Sequence, residues 1–454
     1  MENKREHLPE NKMGVAPIGP LLAGMAIPMM ISMLVQAFYN VVDSIFVAQL
    51  SEDALSAVSL AFPLQNLIIA MGGGIAVGIN AVLSRSLGEK RFDAANKAAH
   101  TGIFLSILGG IIFALVGLFL VKPFFAVMTD DAEIVSYGVD YATICLVGSM
   151  GIFMQFCFER LLQSTGKTTL SMITQLIGAV INIILDPIFI FGWGPVPALG
   201  VAGAAYATII GQIIAASVAI VVNVKCNREI KLSFKEIRYD KEIGRRIFKI
   251  GFPSMLMQSV GSVMNFCFNQ VLLSFSTTAT AVFGAYFKLQ SFVFMPIFGL
   301  NNGMVPIIAY NYGAKRPDRV KKTIKLTIIT AVSIMAVGVV AFEVIPEVLL
   351  GFFNADENMM RLGIPALRII APHFLLAGFC IIAGSVCQAI GNPKYSLIVS
   401  ICRQLVVLLP AAWLLGKTGV LDYVWLSFPI AEIASLILST IFLKKTLNQA
   451  RTPR

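Results

Sequence analysis

Charge is scarce in this sequence. Only 13% of its 454 residues are Asp, Glu, Lys or Arg, roughly half the usual share for a soluble domain of this size. Histidine is nearly absent. The three, His7, His100 and His373, are too few and too scattered for a His-rich metal centre or a nucleophile-base constellation, so no enzymatic chemistry is expected. The seven cysteines form no Cys-x-x-Cys or Cys/His pattern, and six of them (145, 157, 267, 380, 387 and 402) fall in apolar segments, where they read as buried thiols. Gly166-Lys167-Thr168 resembles the end of a phosphate loop, but Leu161 stands where the first glycine is required. The first 17 residues lack the basic-apolar-cleavage order of a signal peptide, so the first apolar segment is read as an uncleaved span.

What is abundant is apolar surface. Hydrophobic residues make up 57% of the chain and the mean hydropathy is +0.80, which points to lipid as the solvent. Residues 250–314 hold Lys288 as their one formally charged side chain, and 168–224 hold only Asp186. A spanning helix takes about 20 residues, and twelve such segments are expected near 18–49, 54–84, 99–122, 133–158, 168–192, 200–223, 247–274, 279–311, 323–345, 359–387, 395–415 and 422–443.

The net charge of +10 would suit nucleic acid if it were clustered in a soluble domain. Instead, 29 of the 35 Lys and Arg residues fall in alternate connections and the termini, while the opposite loops carry Glu52, Asp53, Asp130 and Asp131. By the positive-inside rule both termini are expected in the cytoplasm, in a multi-pass protein of the cytoplasmic membrane with no nucleic-acid partner.

The chain also repeats itself. Ser86-Leu-Gly-Glu-Lys-Arg-Phe-Asp93 recurs as Asn311-Tyr-Gly-Ala-Lys-Arg-Pro-Asp318, an offset of 225. The same offset pairs Pro28 with Pro253, Asn40 with Asn265, Gly78 with Gly303, and Gln163 and Gly166 with Gln388 and Gly391. An even number of spans per repeat makes the halves parallel, related by a pseudo-two-fold along the membrane normal. The expected division is a six-helix lobe over 1–223, a cytoplasmic linker over 224–246 that bears the hinge, and a second six-helix lobe over 247–454. Gly72-Gly73-Gly74 and Gly78 read as helix-packing positions.

An ionisable group in hydrocarbon needs a partner, a water-filled cavity or a change of protonation. Asp43, Asp186, Lys288, Arg403 and Glu432 are such groups. On the first span Gln36, Asn40 and Asp43 share one face with Tyr39, and on the fifth Gln175, Asn182 and Asp186 do the same. Both acids sit about six or seven residues from the outer ends of their spans, at similar depth. Their oxygens suit a proton or Na+, with a static polar network as the plainer alternative. Arg403 and Glu432 are expected to pair between spans eleven and twelve. Lys288 suits either the central cavity, with Gln36, Gln175 and Asn265, or the outer interface. His373 suits a proton carrier or, more simply, a structural hydrogen bond.

Tyr39-Asn-Val-Val-Asp43, Gly72 to Gly78 with Gly88-Glu-Lys-Arg91, Asn182-Ile-Ile-Leu-Asp-Pro-Ile-Phe-Ile-Phe-Gly192, Leu199-Gly-Val-Ala-Gly203, Pro306 through Asn311-Tyr-Gly-Ala-Lys315, and Gln388-Ala-Ile-Gly391 together resemble the multidrug and toxic compound extrusion (MATE) family over nearly the whole chain. The prokaryotic branch similar to damage-inducible members fits best. The resemblance implies two six-helix lobes in a V and export of organic cations, as small-molecule partners, in exchange for inward H+ or Na+. It also implies coupling roles for Asp43, Asn182 and Asp186, supported by Tyr39 and Asn40. No cofactor, and no metal beyond Na+ at Asp43, Asn182 and Asp186, is implied, and the protein is read as a monomer in contact with lipid. Gln258 and Asn265 on span seven replace the second-lobe carboxylates of another branch. The main rival is a flippase for a lipid-linked oligosaccharide, whose cavity must be cationic to hold a diphosphate; Lys288, Arg368 and Arg403 are the candidates for that.

Overall fold

The computed structural model describes residues 10–353 and 355–451, without the side chains at 48, 52, 55, 234, 450 and 451. Lys4, Arg5, His7 and Arg454, and the side chain of Glu52, all used in the sequence reading, lie outside the described residues.

The described chain is helical, with one β-bridge between Trp193 and Val196 in a connecting loop. The first half contributes span 1 (Ile18–Ala48), span 2 (Glu52–Gly88), span 3 (Phe92–Phe119), span 4 (Ala132–Val147 and Met150–Ser164, bent by 42° at the join), span 5 (Thr168–Phe191) and span 6 (Val201–Cys226). The second contributes span 7 (Lys241–Leu273), span 8 (Thr277–Gly313), span 9 (Pro317–Val344), span 10 (Glu357–Ile370 and His373–Ile390), span 11 (Pro393–Gly416) and span 12 (Ser427–Arg451). By length and apolarity ten helices qualify as spans, and the bent pair makes eleven. Span 7 is the twelfth. At 33 residues it is long enough, but Gln258, Asn265, Asn269 and its basic first turns dilute its hydropathy.

The 225-residue offset is present in the backbone itself. It carries both ends of span 2 onto those of span 8 and both ends of span 3 onto those of span 9. Ser51 and Ser276 cap spans 2 and 8 through their hydroxyls, each accepting from the amide three residues on, a standard N-cap arrangement. Gly166 and Gly391 take left-handed turns at φ +84° and +99°, and Lys90 and Lys315 do so at +57° and +56°.

The two lobes also meet reciprocally, which a two-fold axis requires. A Cβ on Gly88 would collide with the Tyr310 carbonyl, and one on Gly313 with that of Arg85, the residue 225 before Tyr310. Deeper in, Gly74 lies against Met255 and Gly299 against Met30, again an offset pair. Small residues here let backbones approach closely where no hydrophobic force drives helices together in lipid.

Several sequence boundaries need correction: spans 3, 7 and 9 begin at Phe92, Lys241 and Pro317 rather than at 99, 247 and 323, because basic and polar residues there continue the helix beyond the apolar run. Span 4 does not stop at 158 but runs to Ser164, because Met150-Gly-Ile-Phe-Met-Gln-Phe-Cys-Phe-Glu-Arg-Leu-Leu-Gln-Ser164 keeps a buried apolar face throughout. Span 12 starts where expected, the stretch Leu421–Gln449 qualifying as one span, but it is broken at Leu426 between the short helix Leu421–Trp425 and the long one from Ser427. The connection between the lobes is shorter than 224–246, since helix continues to Cys226 and resumes at Lys241. It is held to span 3: the amides of Lys231, Ser233 and Asp240 donate to Asn96, His100 and Thr101 at 2.9, 3.2 and 3.3 Å.

Candidate functional site

Spans 1, 2, 4, 5 and 6 enclose a cavity of about 600 Å³ inside the first lobe. Gln36, Tyr39, Asn40 and Asp43 reach it from span 1, Gln175 and Asn182 from span 5, and Thr208 from span 6. These two stripes meet because spans 1 and 5 pack side by side. Asp186 is not in the wall. It is fully buried one helical turn behind Asn182, whose Nδ2 donates to its Oδ1 at 3.4 Å and to Thr208 Oγ1 at 3.3 Å. The Asp43 and Asp186 carboxylates and the Tyr39 hydroxyl lie close enough to interact electrostatically.

The decisive feature of this cluster is unmet demand. Asp43 Oδ1, Asn182 Oδ1 and Asp186 Oδ2 are each buried with no hydrogen-bond partner. A carboxylate oxygen out of water without a donor is costly, and three acceptors converging in one lobe call for a proton or a hard cation. Among the described residues no three His, Cys, Asp or Glu side chains gather as a metal site, so a cation here would rest on two carboxylates plus amide and hydroxyl oxygens.

The second lobe fills the equivalent place with aromatic rings. Phe268, the offset mate of Asp43, is fully buried, its centroid 4.8 Å from Phe283, 5.1 Å from Phe428 and 6.0 Å from Trp425. Ala411 stands in the place of Asp186. The second lobe's charges lie elsewhere. Arg403 Nη1 is 3.4 Å from Glu432 Oε2, and Arg403 sits in a π-helical stretch, Cys402–Leu408, of span 11. His373 is buried beside Phe374, with Nδ1 2.7 Å from the Ile370 carbonyl. Lys288 is exposed, and Asn265 Oδ1 accepts from Asn269 at 3.2 Å.

The MatE family profile matches twice, over residues 28–188 and 253–414, with starts separated by the same 225. The chain belongs to the MatE family. The multidrug export protein MepA of Staphylococcus haemolyticus is 30% identical to this MatE chain over 426 residues, covering 93% of each. MepA of Staphylococcus aureus (strain MSSA476) is 28% identical over 428 residues, 93% of this chain and 94% of that one. Among solved structures, the outward-facing conformation of a multidrug resistance MATE family transporter of the MOP superfamily superposes with a TM-score of 0.92 at 26% identity, over 98% of this chain and 99% of that one. A MATE in the bent conformation gives 0.88 at 26% identity over 96% of each.

The longer span 4 brings into this MatE lobe an acid the sequence reading missed. Glu159, 2% exposed, accepts from Gln155 Nε2 at 2.9 Å and from Gln175 Nε2 at 2.6 Å. Gln175 therefore spends its amide on Glu159 rather than on Asp186. Next to it, Arg160 Nη1 donates to Gln163 at 2.7 Å and across the lobe interface to Asn302 at 2.9 Å. Arg160 thus belongs to span 4 and not to the loop that follows it. The i, i+4 spacing of Gln155 and Glu159 is the signal in the sequence, masked because a charge pair after an apolar run mimics the end of a span.

Proposed function

We propose that this MatE protein is a secondary antiporter that exports amphipathic cationic compounds, multidrug export being the property named for its MepA relatives, in exchange for inward H+ or Na+. The observation that carries the reading is the trio of buried, partnerless oxygens of Asp43, Asn182 and Asp186. A coupling ion satisfies them, and its departure restores a negative site that attracts a cation. In this reading Asp43, which lines the cavity, exchanges the ion, Asp186 and Asn182 share it, and Tyr39 and Asn40 shape the approach. Gln36, Gln175, Asn265 and Lys288 are substrate-contact candidates.

The basic face is assigned to the cytoplasm by the positive-inside rule. The close glycine contacts then seal the cytoplasmic side, and transport proceeds by rocking of the two lobes, spans 1–6 and spans 7–12, about the axis between them, with residues 227–240 as the connection. The protein acts as a monomer in the cytoplasmic membrane, without cofactor.

The flippase alternative is weakened by charge. Arg368 faces Glu347 at 3.7 Å and Arg403 faces Glu432, leaving Lys288 alone against an acidic first-lobe cavity. Proteoliposomes with a pH gradient and a Na+ gradient imposed separately test the proposal. Dye movement driven by one of them is expected; movement indifferent to both refutes antiport.

A further inference from the structure

A second crevice, of about 340 Å³, opens at the basic face where span 2 of the first lobe meets span 7 and Gly391 of the second. Its rim carries Arg85, Arg91, Arg246 and Lys249, and its inner wall is Ala81 and Ile250. Ala81 lies one turn, about 6 Å, further into span 2 than Arg85, so the crevice runs inward from a basic rim along an apolar wall. Two carboxylates answer the four cations. Glu89 lies 2.8 Å from Arg85 and 3.5 Å from Arg91, and Glu242 lies 2.6 Å from Arg246. Lys249 has no ion-pair partner among the described residues, and two positive charges stay unmatched.

The pseudo-two-fold offers a partial comparison, in which Arg91, Ser86 and Gly391 have counterparts while Arg246 and Lys249 fall opposite Leu21 and Gly24. The equivalent position in the other half is filled by the chain's own N-terminal segment, entering as a row of oxygens. Asn311 Nδ2 donates to Met13 O at 2.8 Å, Arg319 Nη2 to Met13 O and Ala16 O at 3.0 and 2.7 Å, and Arg316 to Gly14 O at 2.5 Å, while Glu10 pairs with Arg316 at 2.7 Å. Arg91 is the offset mate of Arg316, Ser86 of Asn311, and Gly391 of Gly166, against which Lys12 and Met13 rest. Among the described residues no such segment of the second half bonds to Arg91 or Ser86. The matching stretch of that half is the inter-lobe connection, tied to His100 and Thr101 on span 3 instead.

We propose that this crevice binds the phosphate-bearing headgroup of an anionic phospholipid from the surrounding membrane, its phosphate oxygens facing Arg91 and Lys249 and an acyl chain following the Ala81 and Ile250 wall. An oxygen-rich anion supplies what the peptide carbonyls and Glu10 supply on the mate side, and basic pockets between helices at this face suit anionic headgroups. This site is independent of the ion-coupling cluster.

The test is native mass spectrometry of delipidated protein titrated with phosphatidylglycerol, phosphatidylcholine or inorganic phosphate. Saturable phosphatidylglycerol binding is expected, weakened about tenfold by Arg91→Gln combined with Lys249→Gln and strengthened by Glu89→Gln, which removes an opposing carboxylate. Both variants change exposed or rim side chains, and melting curves report whether they fold; Lys249→Gln alone carries the same expectation at smaller size. Equal binding of phosphatidylcholine, or unchanged affinity in the folded charge variants, overturns the proposal. Displacement of the lipid by millimolar inorganic phosphate overturns the lipid assignment in favour of a free anion.

Discussion

Arg403 and Glu432 stand 3.4 Å apart between spans 11 and 12, with Glu432 nearly inaccessible and its second oxygen, Oε1, lacking a partner. Removing one partner of a buried pair costs about 3 to 5 kcal/mol because the other is left uncompensated. Arg403→Glu should therefore lose folded protein, and the exchange Arg403→Glu with Glu432→Arg should recover much of it, read as detergent-stable yield. A double variant no better than the single one would exclude the pair as the cause.

Asp43→Asn keeps the size and hydrogen-bonding capacity of the side chain but removes its titration. A folded protein that still binds a cationic dye but no longer exports it under an imposed gradient is the expected result, with a rate loss of about a hundredfold or more. Wild-type export by Asp43→Asn in energised vesicles would remove Asp43 from the coupling step.

Lys288 is exposed on span 8, on the helix whose first-lobe mate helps line the Asp43 cavity. In a cysteine-free background Lys288→Cys should react with a water-soluble thiol reagent and slow in the presence of a transported cation. Labelling that no substrate alters would place the side chain at the outer interface.

Gly88 and Gly313 meet the Tyr310 and Arg85 carbonyls reciprocally. Gly88→Val should force the basic ends of the lobes apart and cost about 1 to 3 kcal/mol of this arrangement. Spin-label distances between residues 90 and 315 should lengthen; an unchanged distribution with wild-type melting would mean that the contact is slack.

Asp240 caps span 7, accepting from the Glu242 and Ile243 amides at 3.0 Å, and its carboxyl is held below the usual range by the Ile243 amide first and by Lys97. A carboxylate with a lowered folded-state pKa adds stability above its unfolded pKa and loses it as pH falls through the folded value. Asp240→Ala should cost about 1 kcal/mol at neutral pH, and the gap between wild type and variant should close in acid. A gap that stays constant down to pH 2 would assign the cost to something other than the charge.

The sequence by itself determined the solvent, the class of fold and the duplication. Thirteen per cent charge and long apolar runs admit lipid and little else, and an offset of 225 that preserves turn glycines, serine caps and the Pro28–Pro253 pair defines two parallel halves, since the same local chemistry builds the same local backbone twice. It also marked Asp43, Asn182 and Asp186, because polar residues at helical spacing are conspicuous against an apolar background. Tertiary structure alone decided that their demand stays unmet: Asp186 lies behind the cavity wall rather than in it, and Gln175 turns to Glu159. Those outcomes depend on which neighbouring helix faces each side chain, and a helix's own residues do not specify its neighbour. The same holds for Glu159 and Arg160. In sequence their charges mimic the end of a span, while in the folded lobe glutamines from spans 4 and 5 and Asn302 from span 8 surround them with hydrogen-bonding partners, so the helix continues and the charges stay inside.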